Sequence, residues 1–214
     1  MNNLDFLKKY KLFIVDYDGT ILDSMNMWKT TLSNFLKSEN IIFDEDIDEV
    51  SKEQTNIESV KYINEKYFPN LSFDELSTKM YDFVRKEYVK QELKENANIL
   101  LKEIKNIGRV VLFSATATEL LNDSFKVNNI DNYFDCVYSA SEMNTTKVDG
   151  IGFNKVLELE NIKKEDALII EDVFHAIKGA KLQNFDVLAI YDNQRSWNKI
   201  ISVADYNLDL SKLV

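Results

Sequence analysis

Short stretches rich in apolar and β-branched residues recur along the chain, and longer amphipathic stretches separate them. The apolar stretches occupy residues 11–15, 109–114, 135–140, 166–171 and 186–191. Runs of this length, bounded by polar residues, are typical of strands that are buried on both faces of a parallel sheet. We therefore predict five buried strands.

Helical periodicity fills the intervals between the later strands. It covers residues 96–106, 117–128, 152–162 and 174–184. Strands that alternate with helices form βαβ units, in which helices cover both faces of a parallel sheet. The pattern therefore predicts an α/β fold.

The interval 24–93 has a different pattern, because it contains helical stretches and no convincing strand. The helical stretches are residues 24–40, 44–54, 56–68 and 72–93. Ser72 stands three residues before Glu75, a spacing that is typical of a capping box at the start of a helix. We predict that this interval forms a separate helical domain.

The change of pattern sets the predicted domain boundaries. We place the α/β core at residues 1–22 and 94–214 and the helical domain at residues 23–93. Linkers near residues 20–25 and 92–97 would connect the two domains. A domain that is joined by two linkers can move as a hinge and close over a site.

Composition and charge disfavour several classes of protein. The chain has 214 residues, of which 45% are hydrophobic and 29% charged, as is usual for a globular protein. Its formal net charge of −10 repels DNA and RNA, so we expect no nucleic-acid partner. An anionic ligand would need local positive charge or a metal ion in order to bind.

Cysteine content and hydropathy bear on the compartment. Cys136 is the single cysteine, so no intrachain disulfide can form, and a reducing compartment fits. The N-terminus does not have the pattern of a signal peptide, and no apolar run approaches the length of a membrane span. We expect a cytoplasmic protein without a membrane partner, present as a monomer or a weak homodimer.

Residues suited to chemistry follow four of the predicted strands. In open α/β sheets, ligands bind beyond the carboxyl ends of the strands. These ends carry Asp16, Asp18, Gly19 and Thr20 after the first strand, Ser114, Ala115 and Thr116 after the second, Lys147 after the third, and Glu171 and Asp172 after the fourth. We therefore expect two acidic pairs, a hydroxyl and a lysine at one edge of the sheet.

The two acidic pairs predict a metal site. Four carboxylates in one place cannot all remain ionised without compensating positive charge. A hard divalent cation with oxygen ligands supplies that charge, and Mg²⁺ is the usual cation beside phosphates. The candidate ligands are Asp16, Asp18 and Asp172, with Glu171 binding directly or through water. The alternative is a structural role for each pair, as a turn or as a helix N-cap.

A phosphate ester as substrate would give the first acidic pair a catalytic role. Asp16 would attack phosphorus and form an aspartyl-phosphate. Asp18 would protonate the leaving oxygen and later deprotonate the attacking water. Gly19 would permit the tight bend that directs both side chains inward.

Phosphate binding would involve hydroxyl, amide and basic groups. Ser114 and the backbone N–H of Ala115 would hold phosphoryl oxygens at the start of a helix. Lys147 would balance the charge of the phosphate and the nucleophile. Gly19 and Thr20 are assigned to phosphate binding as well. The alternatives are a helix cap for Ser114 and a solvated loop charge for Lys147.

The motifs resemble those of the haloacid dehalogenase superfamily. The segments DYDGTILDS (16–24) and EDVFHAIKGAK (171–181), with a serine and a lysine between them, look like its four motifs. The helical insert is similar to the C1-type cap of the β-phosphoglucomutase and phosphoglycolate phosphatase branch. The resemblance implies a Rossmann-like doubly wound parallel sheet with an inserted all-helical cap domain.

Three positions depart from the pattern of this branch. Val148 follows Lys147 where proline is common, and Ala176 stands where glycine is common. The serine motif reads FSAT, where Thr-Ser or Ser-Asn pairs are commoner. The first departure leaves Lys155 and Lys126 as alternatives to Lys147.

The resemblance also orders the possible functions. Dehalogenase members lack an acid at the position of Asp18, so its presence favours phosphate esters. We expect a Mg²⁺-dependent phosphatase acting on a small phosphorylated metabolite, such as a sugar, polyol or short organic-acid phosphate. The alternatives are a phosphomutase of the β-phosphoglucomutase type and a phosphate-binding regulator without turnover. A dinucleotide-binding module is disfavoured because no G-x-G-x-x-G follows the first strand.

Overall fold

The computed structural model describes residues 4–53 and 56–213. Within these ranges the strands are β1 Leu12–Val15, β2 Arg109–Ser114, β3 Cys136–Ser139, β4 Ala167–Glu171, β5 Asp186–Ile190 and β6 Tyr206–Leu208. They form one parallel sheet in the order β3-β2-β1-β4-β5-β6. The predicted α/β fold and its five strands are confirmed, and β6 is an additional strand.

Helices connect the strands and form the insert. They are α1 Met25–Lys29, α2 Thr31–Ser38, α3 Ile47–Glu53, α4 Asn56–Tyr67, α5 Phe73–Tyr88, α6 Ala97–Ile107, α7 Thr118–Asn128, α8 Ile151–Glu160, α9 Phe174–Leu182 and α10 Gln194–Ile201. Short 3₁₀ helices cover Asp5–Lys9, Asp131–Tyr133, Lys164–Asp166 and Leu210–Lys212. None of the helices described here is long and apolar enough to cross a bilayer.

The chain divides into two compact units. The larger unit contains Met1–Asp23 and Glu92–Val214, and the helical unit contains Ser24–Gln91. Residue 54, the last of the predicted helix 44–54, lies outside the described residues. The same holds for residues 1–3 and 214, at the ends of the predicted core.

The strand order places β1 and β4 at the centre of the sheet. Val15 is in register with Leu112 of β2 on one side and with Ile170 of β4 on the other. From β1 the chain winds outward through β2 and β3, and it then returns to β4 on the opposite side of β1. The carboxyl ends of β1 and β4 therefore lie at the point where the winding reverses, which is where doubly wound sheets bind ligands.

The larger unit has its core around the sheet. All four residues of β1 and all five of β4 are buried, as continuous apolar strands between two helical layers should be. Phe153 of α8 packs edge-on against Phe113 of β2, with ring centroids 5.3 Å apart. Phe153 also contacts Phe185, which precedes β5. These contacts hold α8 against the sheet.

The helical unit has a core of its own. Its buried apolar residues are Leu32, Phe35, Leu36, Ile47, Ile63, Leu76 and Met80. The predicted capping box is confirmed, because Ser72 Oγ accepts a hydrogen bond from the Glu75 N–H and the Glu75 carboxylate accepts one from the Ser72 N–H.

The single helical stretch predicted over 24–40 is wrong, since it forms two helices, α1 and α2. Thr30 stands between them with φ −115° and ψ 16°, which is outside the helical region. Its hydroxyl donates to the carbonyl of Asn26, and the hydroxyl of Thr31 donates to the carbonyl of Met27. Threonine side chains that bond to the preceding turn compete with the helical backbone and favour a break.

Candidate active site

A sharp loop follows β1 and carries the first acidic pair. The carbonyl of Tyr17 accepts hydrogen bonds from the N–H groups of Thr20, Ile21 and Leu22, at 3.3, 2.9 and 2.9 Å. Gly19 has φ 82°, a left-handed conformation that glycine adopts without the steric cost of a Cβ. The chain therefore makes a tight turn directly after Asp16, and Gly19 lies in it, as predicted.

Tyr17 anchors this loop to the helix that follows β2. Its ring is fully buried and packs edge-on against Phe125 of α7, with centroids 5.1 Å apart. Its hydroxyl is hydrogen-bonded to Ser124 Oγ at 2.9 Å. The loop between the two aspartates is therefore held by an aromatic contact and a buried hydrogen bond.

Three of the four predicted acids meet at the carboxyl edge of the sheet. Asp16, Glu171 and Asp172 each offer a carboxylate oxygen, and these oxygens lie within 4.8 Å of one another. All three residues are buried, with 7%, 2% and 5% of their surface exposed. The carboxylate of Asp18 instead accepts a 2.7 Å hydrogen bond from Thr116 Oγ1.

Lys147 lies among these acids. Its ammonium group is ion-paired with Asp16 and lies 2.8 Å from Glu171 Oε1. Among the three candidate lysines, Lys147 is the buried one, whereas Lys126 is exposed on α7 and Lys155 is half-buried on α8. The structure thus brings Lys147 to the predicted nucleophile.

Hydrogen bonds hold both carboxylates of the second acidic pair, Glu171 and Asp172. Glu171 Oε2 accepts from the backbone N–H groups of Asp172 and Val173, at 2.8 and 2.9 Å. Thr20, which is fully buried, donates its hydroxyl to Asp172 Oδ1 at 2.8 Å. Thr20, predicted to bind phosphate, therefore lies beside a predicted metal ligand.

Burial and mutual repulsion shift the pKa values of the acids upward. The pKa of Asp16 is raised to about 7. Burial is the largest cause, the charges of Glu171 and Asp18 add to it, and together they outweigh the attraction of Lys147. Burial, followed by the charges of Glu171 and Asp16, holds the pKa of Asp172 well above its usual range. For Lys147, burial favours a lower pKa, but Asp16 and Glu171 outweigh it and raise the pKa.

The site fits a hard divalent cation. Three ionised carboxylates beside one ammonium group would leave two uncompensated negative charges in a buried place. A divalent cation matches that charge, and carboxylate oxygens are the ligands that Mg²⁺ prefers. Burial and the repulsion between these carboxylates raise the pKa values of Asp16 and Asp172, and a bound cation would offset both.

The end of β2 supplies the hydroxyl side of the site. Ser114 is buried, and its Oγ accepts a 3.1 Å hydrogen bond from the Thr116 N–H. Ala115 is exposed, two residues before Ala117, the N-cap of α7. Ser114 and Ala115 therefore reach the same edge of the sheet as Asp16, and Thr116 joins them to Asp18.

Two glycines bring the loop of Lys147 close to α9. A Cβ on Gly179 of α9 would lie 2.2 Å from the carbonyl oxygen of Lys147 and 2.6 Å from that of Val148. Gly150, at the end of the same loop, has φ 75°. The close approach of helix and loop therefore depends on glycine at position 179.

Sequence reasoning placed Thr116 at this edge of the sheet without giving it a role, and it did not assign Gly179 to the site. A glycine inside a helical pattern is a signal of close packing, so Gly179 could have been singled out. The contact of Thr116 with Asp18 has no comparable signal, because it joins residues 98 positions apart.

Comparison with known proteins shows the family of the chain. Residues 13–190 match the family model of haloacid dehalogenase-like hydrolases. The chain is 25% identical over 179 residues to pyrophosphatase PpaX of Listeria welshimeri, an alignment that covers 81% of this chain and 79% of the relative.

Solved structures share the fold at lower sequence identity. A protein of Thermotoga maritima, provisionally assigned as a β-phosphoglucomutase, aligns with a TM-score of 0.79 at 14% identity, over 94% of this chain and 95% of that one. YfnB of Bacillus subtilis, solved with bound magnesium, aligns with a TM-score of 0.75 at 19% identity, over 94% of each chain. At these identities, the two similarities show a shared fold only.

Proposed function

The chain belongs to the haloacid dehalogenase-like hydrolases, as its motifs predict, and we propose that it is a Mg²⁺-dependent phosphatase. Its substrate would be a small phosphorylated metabolite, such as a sugar, polyol or short organic-acid phosphate. The observation that carries the proposal is the ion pair of Lys147 with Asp16 inside a buried group of three carboxylates. A carboxylate with this surrounding is suited to attack an electrophilic phosphorus.

Asp16, Glu171 and Asp172 would hold the metal ion. Bound there, Mg²⁺ would neutralise charge on the carboxylates and on the phosphoryl group. Thr20 would orient the carboxylate of Asp172 through its hydroxyl. The carboxylate of Asp18, the fourth predicted ligand, accepts a hydrogen bond from the Thr116 hydroxyl. We therefore assign the side chain of Asp18 to proton transfer.

In the first step, a carboxylate oxygen of Asp16 attacks phosphorus, and the bond from phosphorus to the substrate oxygen breaks. Asp18 gives its proton to the departing oxygen, which leaves as an alcohol. The product on the enzyme is an aspartyl-phosphate. Lys147 favours the ionised form of Asp16 before the attack, in opposition to burial, and would offset the phosphoryl charge afterwards.

In the second step, water attacks the phosphorus of the aspartyl-phosphate. Asp18, now ionised, takes a proton from this water, so the acid of the first step is restored. The bond between phosphorus and Asp16 breaks, and inorganic phosphate is released. Ser114 and the Ala115 N–H would hold phosphoryl oxygens during both steps, with Gly19 contributing the close approach of its backbone.

The helical unit, Ser24–Gln91, is proposed to act as the cap that sets substrate specificity, as the motif resemblance implies. A curated relative is named a pyrophosphatase, and a structural neighbour is provisionally a β-phosphoglucomutase. Pyrophosphate and sugar phosphates are therefore the first substrates to examine.

A phosphomutase is the second candidate, supported by the fold of the Thermotoga maritima protein. It would use the same aspartyl-phosphate but return the phosphoryl group to a sugar instead of to water. Inorganic phosphate release, compared with formation of an isomeric sugar phosphate, distinguishes the two. A regulator that binds phosphate without turnover would give neither product.

The test is a screen of phosphate esters and pyrophosphate with Mg²⁺, using the wild type and Asp16→Asn. We expect Mg²⁺-dependent phosphate release by the wild type and a loss of at least about a thousand-fold in Asp16→Asn, because the nucleophile is removed. Asp82→Asn, an exposed acid of α5, is the matched control and should keep full activity. Full activity of Asp16→Asn would contradict the proposal.

A further inference from the structure

Thr116 links two parts of the site that come from different strands. Its backbone N–H donates to Ser114 Oγ at 3.1 Å, and its Oγ1 donates to Asp18 Oδ2 at 2.7 Å. The proposed phosphate-binding hydroxyl and the proposed acid are thus joined through a single residue.

The position of the Thr116 hydroxyl is set by the loop after β2. The bond to the buried Ser114 fixes the backbone of Thr116. A β-branched side chain has few χ1 choices once its backbone is fixed. The Thr116 hydroxyl therefore has a defined position, and its hydrogen bond can orient the carboxyl group of the half-buried Asp18.

From this geometry we infer that Thr116 is a positioning residue for Asp18 in protonation of the leaving group, an inference that rests on the proposed function. A hydroxyl that donates to Oδ2 fixes the rotation of the carboxyl group. The carboxyl group of Asp18 is then presented to the leaving oxygen in one defined orientation.

Loss of the positioning of Asp18 should change the kinetics in a way that a loss of packing at Thr116 would not. A poor leaving group, such as phenolate, needs a proton as its bond to phosphorus breaks, whereas 4-nitrophenolate departs readily without one. Phenyl phosphate and 4-nitrophenyl phosphate are similar in size and charge, so they should bind alike. A misplaced acid should therefore slow phenyl phosphate more than 4-nitrophenyl phosphate.

The experiment measures kcat/KM for a series of substituted phenyl phosphates with Mg²⁺ in the wild type, Thr116→Val and Thr116→Ser. Valine keeps the shape of threonine and lacks the hydroxyl, whereas serine keeps the hydroxyl. Thr118→Val is the matched control, since Thr118 begins α7 two residues later and its hydroxyl bonds to Glu142. Thermal unfolding of each variant reports whether the fold is intact.

We expect Thr116→Val to reduce the ratio of kcat/KM for phenyl over 4-nitrophenyl phosphate by about ten-fold or more, since a general acid contributes about 10²- to 10⁴-fold. The dependence of rate on leaving-group pKa should steepen, and Thr116→Ser should restore it. Thr118→Val should leave the ratio at the wild-type value.

Equal losses on all substrates, or no loss, would overturn the inference while leaving the proposed function intact, provided that Asp16→Asn is inactive. Failure of Thr116→Ser to restore the ratio would also overturn it, because the hydroxyl is the group invoked. If the wild type hydrolysed no ester, or if Asp16→Asn were fully active, the proposed function would fail and the inference with it.

Discussion

The ammonium group of Lys147 is ion-paired with Asp16, although the two residues lie 131 positions apart in the chain. Asp16 follows β1 at the centre of the sheet, and Lys147 comes from the loop between β3 and α8. The same ammonium group contacts Glu171 at the end of β4. One cation thus compensates acids from two central strands, and the proposed chemistry depends on it.

Replacing this lysine should affect both activity and stability. Lys147→Met keeps most of the side-chain length and removes the charge, so Asp16 and Glu171 lose their partner. We expect turnover to fall by about a hundred-fold or more. The metal-free protein should lose about 3 kcal/mol of unfolding free energy near pH 8, because buried carboxylates remain uncompensated.

Urea unfolding in EDTA, at about pH 5 and about pH 8, measures this effect. The destabilisation should be smaller near pH 5, where the carboxylates can protonate. Lys126→Met, an exposed change on α7, is the control and should have little effect. Wild-type stability and activity in Lys147→Met would show that the ion pair has no functional part.

Thr20 is predicted to support metal binding through Asp172. Thr20→Val should weaken Mg²⁺ affinity by about ten-fold or more, since residues that orient a metal ligand typically contribute 10- to 100-fold. Thr20→Ser keeps the donor to Asp172 Oδ1 and should bind nearly as the wild type does. Isothermal titration with Mg²⁺ measures the affinities, and equal values for valine and wild type would refute the role.

Gly179 is predicted to be required for the position of the Lys147 loop. Alanine is favoured over glycine inside a helix by about 1 kcal/mol, so Gly179→Ala would stabilise an uncrowded helix. Here the added Cβ would lie 2.2 Å from the Lys147 carbonyl oxygen, which forces the loop away. We expect a net loss of about 1–3 kcal/mol and reduced turnover.

Chemical denaturation and steady-state kinetics test this prediction together. Lys178→Ala, at the exposed neighbouring position of α9, is the control and should be close to neutral. A Gly179→Ala protein that is more stable than the wild type and equally active would mean that the loop adapts without cost.

The raised acid pKa values predict how stabilisation by Mg²⁺ depends on pH. An acid whose pKa is higher in the folded chain destabilises the fold as the pH rises from its unfolded pKa, near 4, through its folded pKa. For Asp16 that pH interval ends near its folded pKa of about 7, and the pKa of Asp172 is raised as well. The metal-free protein should therefore lose stability across this range.

Mg²⁺ binds the ionised carboxylates, so the Tm increase that it causes should grow from about pH 5 to about pH 8. Differential scanning fluorimetry with and without Mg²⁺ measures the increase. Asp172→Asn should abolish most of it. A Tm increase that is the same at both pH values would contradict the assignment of buried acids as ligands.

The sequence was sufficient for the central strands because each is an unbroken apolar run between polar residues. Strand β6, Tyr206–Leu208, was missed because three residues with a central asparagine give no such run. Helix α10 was missed as well, although Trp197 and Ile200 pack on the core. The break at Thr30 depends on local hydrogen bonds that periodicity does not record.

The site was predictable where it follows from topology. Residues at the ends of adjacent parallel strands must meet, so Asp16, Glu171 and Asp172 could be grouped from the sequence. The partners of individual atoms depend on the path of loops. For that reason the bond of Thr116 to Asp18 and the glycine contact under Lys147 became evident only in the structure.

The central claim is that Asp16 carries the phosphoryl group during turnover. Rapid acid quenching of the enzyme during turnover of an accepted substrate, followed by peptide mass spectrometry, measures this directly. We predict one phosphoryl group, located on Asp16 and absent in Asp16→Asn. An enzyme that releases phosphate rapidly but shows no phosphoryl group on Asp16 at any quench time, or shows it on another residue, would contradict the account.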